Sequence, residues 1–247
     1  MNLKRRDLIT GIGSLGAGMI LTGCGDKNGP PSAETQSSNR KDEETKGGEV
    51  TATEDLMREH GVLRRALFVY SETVIKLRAN PTAVAPDALR KTAKLFRAFG
   101  EDYHEKKLEE AYIFPAVKTA GGAAASLPDI LVMQHQRGRE ITEYILSVTQ
   151  GPKAGASSAE PLARALESLV RMYRAHAARE DTIIFPAWKQ TLTAKQLDEM
   201  NDKFEEIEHE QFGEDGFEDA VKQISDIEGN LGLADLAQFT PPPLSMK

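Results

Sequence analysis

Downstream of residue 50, apolar residues recur at helical spacing along most of the chain. Thr53, Leu56, Leu63, Leu67, Val74 and Leu77 form one stripe, which Asn80-Pro81 ends; this period predicts an amphipathic helix. A second helix is predicted from about Pro86 to Val117, with Leu89, Leu95, Phe96, Phe99 and Ile113 on its apolar face and Gly121-Gly122 beyond its end. The third runs from Pro128 to about Thr149, before Gly151-Pro152. A fourth starts near Glu160-Pro161, with the proline read as a first-turn residue, and reaches about Gln190. Long amphipathic segments joined by short connections predict an all-α fold, an up-down four-helix bundle of antiparallel neighbours. Thr193-Ala194-Lys195-Gln196 reads as a capping box opening an extra C-terminal helix through about Phe212. A shorter helix from about Glu214 to Glu228 should pack beside it, and Thr240-Pro241-Pro242-Pro243 should be extended.

The first fifty residues carry a different pattern. Lys4, Arg5 and Arg6 precede an apolar stretch from Leu8 to Leu21, which has signal-peptide length and is short for a membrane span. It ends in Leu21-Thr22-Gly23-Cys24, which resembles a bacterial lipobox with Cys24 as the lipidated residue. The Arg5-Arg6 pair resembles a Tat signal, with Sec export as the alternative. Gly25 to about Gly48 is polar and aperiodic, as a flexible tether would be. The expected organisation is a signal segment (1–24), a tether (25–50), the bundle (51–190) and a C-terminal helical extension (191–247). The address implied is the bacterial cell envelope, on the periplasmic or outer cell-surface side, with membrane contact through a lipid anchor only.

Charge and cysteine narrow the chemistry. The net charge is −7 and no basic stripe occurs, which argues against a nucleic-acid partner, because phosphate binding draws on clustered Lys and Arg. Cys24 is the only cysteine, so the bundle has neither an internal disulfide nor a thiolate metal site. Any metal must sit on nitrogen and oxygen ligands, which favours iron or manganese over structural zinc.

The sequence also repeats itself. Tyr112-Ile113-Phe114-Pro115-Ala116 returns as Ile183-Ile184-Phe185-Pro186-Ala187, each preceded by a histidine and a pair of acids: His104 before Glu109-Glu110, and His176 before Glu180-Asp181. Met57-Arg58-Glu59-His60 answers Met133-Gln134-His135. Two helical hairpins therefore share one plan. His60 and His135 fall early in their helices, His104 and His176 late, and alternating helix directions bring all four to one height. Glu180 lies one turn after His176, with Asp181 as its competitor; Glu105 and Glu109 share a face of the second helix. A single buried histidine is more often hydrogen-bonded than metal-binding, but four at one level with repeated acids are not independent accidents. Imidazole and carboxylate together suit iron(II). His209, outside the repeat, is expected at the surface or in a cap. Tyr103 and Tyr173 read as core aromatics that could also hydrogen-bond to the site, and the Phe-Pro pairs as packing and a kink below it.

From about Glu54 to Trp188 these residues resemble the hemerythrin-like (HHE) cation-binding domain: a histidine, His-x3-Glu, a histidine and His-x3-Glu, each acid close before Phe-Pro. The resemblance implies a non-haem di-iron centre (Fe2+/Fe3+, oxo- or hydroxo-bridged) that binds O2, NO or peroxide. It assigns the metal ligands His60, His104, Glu109, His135, His176 and Glu180, with Glu105 and Asp181 as further candidates. His104 and Glu109 are one residue further apart than the pattern. A π-bulge would restore their facing, as would use of Glu105; the third alternative is that the wider spacing suits a bridging carboxylate. Oxygen-carrying hemerythrins place a second histidine on the third helix where this chain has Arg139; an open metal position favours reaction over reversible carriage. The expected function is binding or sensing of O2, NO or peroxide. The alternatives are a di-iron oxidase, peroxidase or NO reductase, and a redox-inactive zinc-binding or iron-storage lipoprotein.

Overall fold

In the computed structural model, which describes residues 50–84, 86–151, 156–213 and 215–244, the first apolar stripe begins at a capping box. Thr51 accepts the Glu54 N–H, and the Glu54 carboxylate accepts the Thr51 N–H at 2.8 Å. This starts α1 (Ala52–Ala79), which ends at Asn80 as its sequence predicts. Residues 51–247 form one unit; the signal-like segment, Cys24 and the tether lie outside the described residues, as do Pro152 and Glu214.

The second helix, α2, is continuous but not uniform. It runs α-helically over Pro86–Leu95, with π-type winding over Phe96–Ile113, and α-helically again over Phe114–Ala120. Gly121 and Gly122 then turn the chain at φ 77° and 76°, a region that glycine enters without steric penalty. The third helix, α3, is Pro128–Val148. The fourth, α4, repeats the pattern of α2: an α-helix Ala156–Arg179, a π turn Glu180–Ile184 and an α-helical end Phe185–Gln190. Pro161 therefore lies inside α4 rather than in its first turn. The helix begins one turn earlier than expected, so the proline lies past the first turn, where its missing N–H gives up an intrahelical hydrogen bond. In both long helices the π winding ends at Phe-Pro. The Phe114 N–H bonds to Glu109 O and the Phe185 N–H to Glu180 O, five residues back. Pro115 and Pro186 follow directly; each lacks an N–H and crowds the carbonyl four residues before it, so the preceding turn widens.

The four helices close a ring, α1 against α4, α4 against α3, α3 against α2 and α2 against α1. The predicted apolar stripes fill it: Leu56, Leu63, Leu67 and Leu77 meet Leu89, Phe96, Phe99 and Ile113 in one core. Full burial of each is worth about 1.5–3 kcal/mol. The extension adds α5 (Ala194–Phe212), capped by Thr193 and Gln196, and α6 (Gly216–Leu231), capped by Asp215. Both pack on α1 and α2. Phe204 stacks on Trp188 at 5.7 Å, and Phe212 meets the Tyr103 ring edge at 5.2 Å. Arg65 of α1 grips Glu228 with two nitrogens, the shorter contact at 2.5 Å. A short 3-10 turn, Leu236–Phe239, precedes the prolines; the sequence reading had no turn there. Among the described residues there is no strand, and no helix is long and apolar enough to cross a membrane.

Two core positions make predictions. Gly138 on α3 sits directly under Tyr173 of α4, where an added Cβ would collide with the tyrosine ring and hydroxyl. Gly138→Ala should destabilise the chain by about 1–3 kcal/mol in denaturant unfolding. Glu101 is fully buried, accepts from Thr142 Oγ1 at 2.6 Å and pairs with Arg97 at 2.9 Å. Burial pushes its carboxyl from the ordinary 4.5 up to about 7, against the Thr142 bond. The folded chain then holds a proton that the unfolded chain has released, so stability falls as pH rises from 4.5 through 7. Glu101→Gln removes this term, and its thermal midpoint relative to the parent should rise between pH 5 and pH 8.

Candidate metal centre

The π winding of α2 decides how its ligand candidates face. With five residues to a hydrogen-bonded turn, residues five apart come to one side, and His104 Nε2 lies 3.3 Å from Glu109 Oε1. On α4 the ordinary α spacing does the same for His176 and Glu180, at 2.9 Å. His60 comes in from α1 and His135 from α3. The four imidazoles meet in two pairs: His60 Nε2 is 3.1 Å from His104 Nε2, and His135 Nε2 is 3.0 Å from His176 Nε2.

Glu109 and Glu180 span these pairs. Glu109 turns Oε1 to His104 and Oε2 to His135, the latter at 3.4 Å. Glu180 turns Oε1 to His176 and Oε2 to His60, the latter at 3.5 Å. Both side chains are fully buried, and none of the four carboxylate oxygens has a hydrogen-bond partner. Such groups are costly unless something charged compensates them. Glu109, His135, His176 and Glu180 can offer ligand atoms all within 4.8 Å of one another, as can His60, His104 and Glu109. The donor set therefore fits metal binding: two imidazole pairs with two carboxylates that reach both.

Each histidine is held from behind. Nδ1 of His60 bonds to Asp181 at 2.6 Å, of His104 to Glu59 at 2.6 Å, of His135 to Glu110 at 2.8 Å, and of His176 to Gln134 Oε1 at 2.9 Å. An acceptor at Nδ1 fixes the ring and leaves the Nε2 lone pair for a metal. Phe185 stacks on His60 at 5.3 Å and Phe114 on His135 at 5.5 Å. The Phe-Pro repeat thus packs directly on the histidines instead of lying below them. Without a metal, the acids charge the rings. Burial works against a charge on His135, yet the Glu105, Glu109 and Glu110 carboxylates push it up to about 10. Burial likewise opposes a charge on His104, but Glu109 and Glu59 hold it well above its ordinary value. In return, and against burial, His104 and His135 hold the Glu109 carboxyl well below the usual range.

The two further candidates stand elsewhere. Asp181 accepts from His60 Nδ1, the ring nitrogen away from His104, and pairs with Arg64. Glu105 accepts from Tyr173 Oη at 2.6 Å and pairs with Arg139 at 3.2 Å; its nearest approach to His135 is to Nδ1, at 3.9 Å. Both approach a histidine at Nδ1 rather than Nε2, and Glu105 forms with Glu110 and His135 a further group whose ligand atoms lie within 4.8 Å of one another. Tyr103 and Tyr173 do more than fill the core, since Tyr103 Oη donates to Glu59 Oε1 at 3.1 Å. His209 is exposed in the last turn of α5. Glu59 and Gln134 were missed as site residues. The signal was present in the repeat, where each directly precedes an early histidine.

Residues 51–188 match the family described as the Hemerythrin HHE cation binding domain. An uncharacterized protein of Mycobacterium tuberculosis and one of Mycobacterium bovis are each 45% identical to the chain over 193 residues, 78% of this chain and 74% of theirs. No solved structure matches. A ring of four helices, two buried histidine pairs and two carboxylates shared between them agree with the span of that match, and the chain belongs to the hemerythrin HHE cation-binding family.

Proposed function

We propose that the chain holds two iron ions, one at His60 and His104 and one at His135 and His176, with Glu109 and Glu180 bridging them, and that it binds or senses O2, NO or peroxide there. The observation that carries this reading is the pair of buried carboxylates with four unsatisfied oxygens, each carboxylate reaching both histidine pairs. Nitrogen and oxygen donors without thiolate suit iron. Bound iron would supply one-electron chemistry and an open coordination position for a small ligand.

The protein's own residues restrict that ligand. Beside the histidines lies a cavity of about 10 Å³, walled by Leu63, Leu67, Ala177 and Tyr173 and reaching His60, His104 and His176. That is room for about one water-sized molecule. The aliphatic walls favour small, weakly solvated ligands and keep bulk water away. Arg64, about half exposed at 45%, stands at the outer edge and is tied to Asp181. The Lys4-Arg5-Arg6 segment and the Leu21-Thr22-Gly23-Cys24 sequence support a lipid-anchored protein of the cell envelope.

Metal analysis and visible spectroscopy of the aerobically purified chain, freed of its first 24 residues, test the reading. About two irons per chain are expected, with charge-transfer bands that shift on adding azide. Zinc in their place, or no metal after iron reconstitution, would overturn it. Glu109→Ala and Glu180→Ala each take an oxygen from both histidine pairs, so either should abolish the paired-iron absorption while helical circular dichroism is retained. Labelling with a radioactive fatty acid in a bacterial host should mark the full chain and leave Cys24→Ala unmarked.

A further inference from the structure

The two hairpins repeat their chemistry around the histidines almost completely. The residue after each bridging glutamate, Glu110 or Asp181, takes Nδ1 of an early histidine, His135 or His60. An arginine one turn beyond that histidine, Arg139 or Arg64, pairs with the same acid. The residue before each early histidine, Glu59 or Gln134, takes Nδ1 of a late one, His104 or His176. The repeat breaks in one place: three of the four partners are carboxylates, and the fourth, Gln134, is a neutral amide. Glu105 adds a buried carboxylate on this side, 3.9 Å from His135 Nδ1, but its oxygens bond to Tyr173 and Arg139, and the hydrogen bond behind His176 is the Gln134 amide.

A carboxylate behind an imidazole draws on its Nδ1 proton and makes Nε2 a stronger donor, which favours the more highly charged metal; an amide does so far less. His60 and His104 both have carboxylate partners. Of His135 and His176, only His135 has a hydrogen-bonded carboxylate, Glu110, which shares Arg139 with Glu105.

Resting on the two-iron reading above, we propose that Gln134, standing where the other hairpin has Glu59, makes the two iron positions unequal, so that the iron at His135 and His176 is reduced first and a one-Fe(II), one-Fe(III) state accumulates. One electron from an added donor such as dithionite turns the diferric chain into that state, and a second completes the reduction. The centre then works as a one-electron device over a range of potential, which suits a sensor responding to a one-electron change.

The test is stepwise dithionite reduction of the iron-loaded chain, followed by cryogenic electron paramagnetic resonance. A coupled Fe(II)–Fe(III) pair has half-integer spin and gives a signal that the two homovalent states lack. The signal should peak at one electron per chain. Bridging alone separates the steps in any pair, so the variants decide. Gln134→Glu should lower the potential of the first step, changing its equilibrium constant tenfold or more, which is 59 mV for one electron, and the peak signal should fall. Glu59→Gln should instead raise the second step and leave the first in place. An unchanged first step in Gln134→Glu, or a shift of the second step there, overturns the proposal while leaving the metal reading standing; a chain without paired iron overturns both. Should Gln134→Glu fail to fold, an unmoved second step in Glu59→Gln overturns the proposal by itself.

Discussion

Two carboxylates buried without hydrogen bonds are the constraint around which the bundle is organised. Placing an ionised Glu109 or Glu180 in an apolar interior costs several kcal/mol per group unless positive charge compensates it. In the chain without metal the compensation comes from protons, and His135 is driven up to about 10 for this reason. Bound metal cations would supply the same charge in the same place, and the Nδ1 partners already hold every ring with Nε2 turned inward. The site is thus arranged for cations before they arrive, which reduces the cost of ordering it on binding.

Helix winding delivers that arrangement. A regular α-helix would bring Leu108, four residues on, to the face of His104 and leave Glu109 off it. The π winding over Phe96–Ile113 selects Glu109 instead and turns Glu105 toward Tyr173 and Arg139. Proline after the winding gives it a definite end, and the phenylalanine before each proline then stacks on a histidine of the other hairpin. One short motif therefore sets the winding, aims the buried acid and braces a histidine ring.

Much of this was legible in the sequence, because helix periodicity and histidine height are local properties. The apolar stripes placed α1, α2 and α3 to within a few residues, and the capping signals at Thr193 and Gln196 located α5. What was not legible depends on partners far apart in the chain. The repeat places Glu59 and Gln134 beside the early histidines, but the ring each one holds, His104 or His176, lies on another helix and shows only in the fold. Asp181 against Glu180, and Glu105 against Glu109, could not be separated by spacing, since the winding that separates them is itself a tertiary outcome. Pro161 misled in the opposite sense: it was read as a first-turn residue, and the helix starts one turn before it.

Anomalous diffraction at the iron edge from crystals of the iron-loaded chain tests the central claim most directly. The account predicts two peaks, one within about 2.0–2.2 Å of Nε2 of His60 and His104 and one at the same range from His135 and His176, both touching Glu109 and Glu180. A single peak, or iron seated between Glu105, Glu110 and the Nδ1 face of His135, would contradict it.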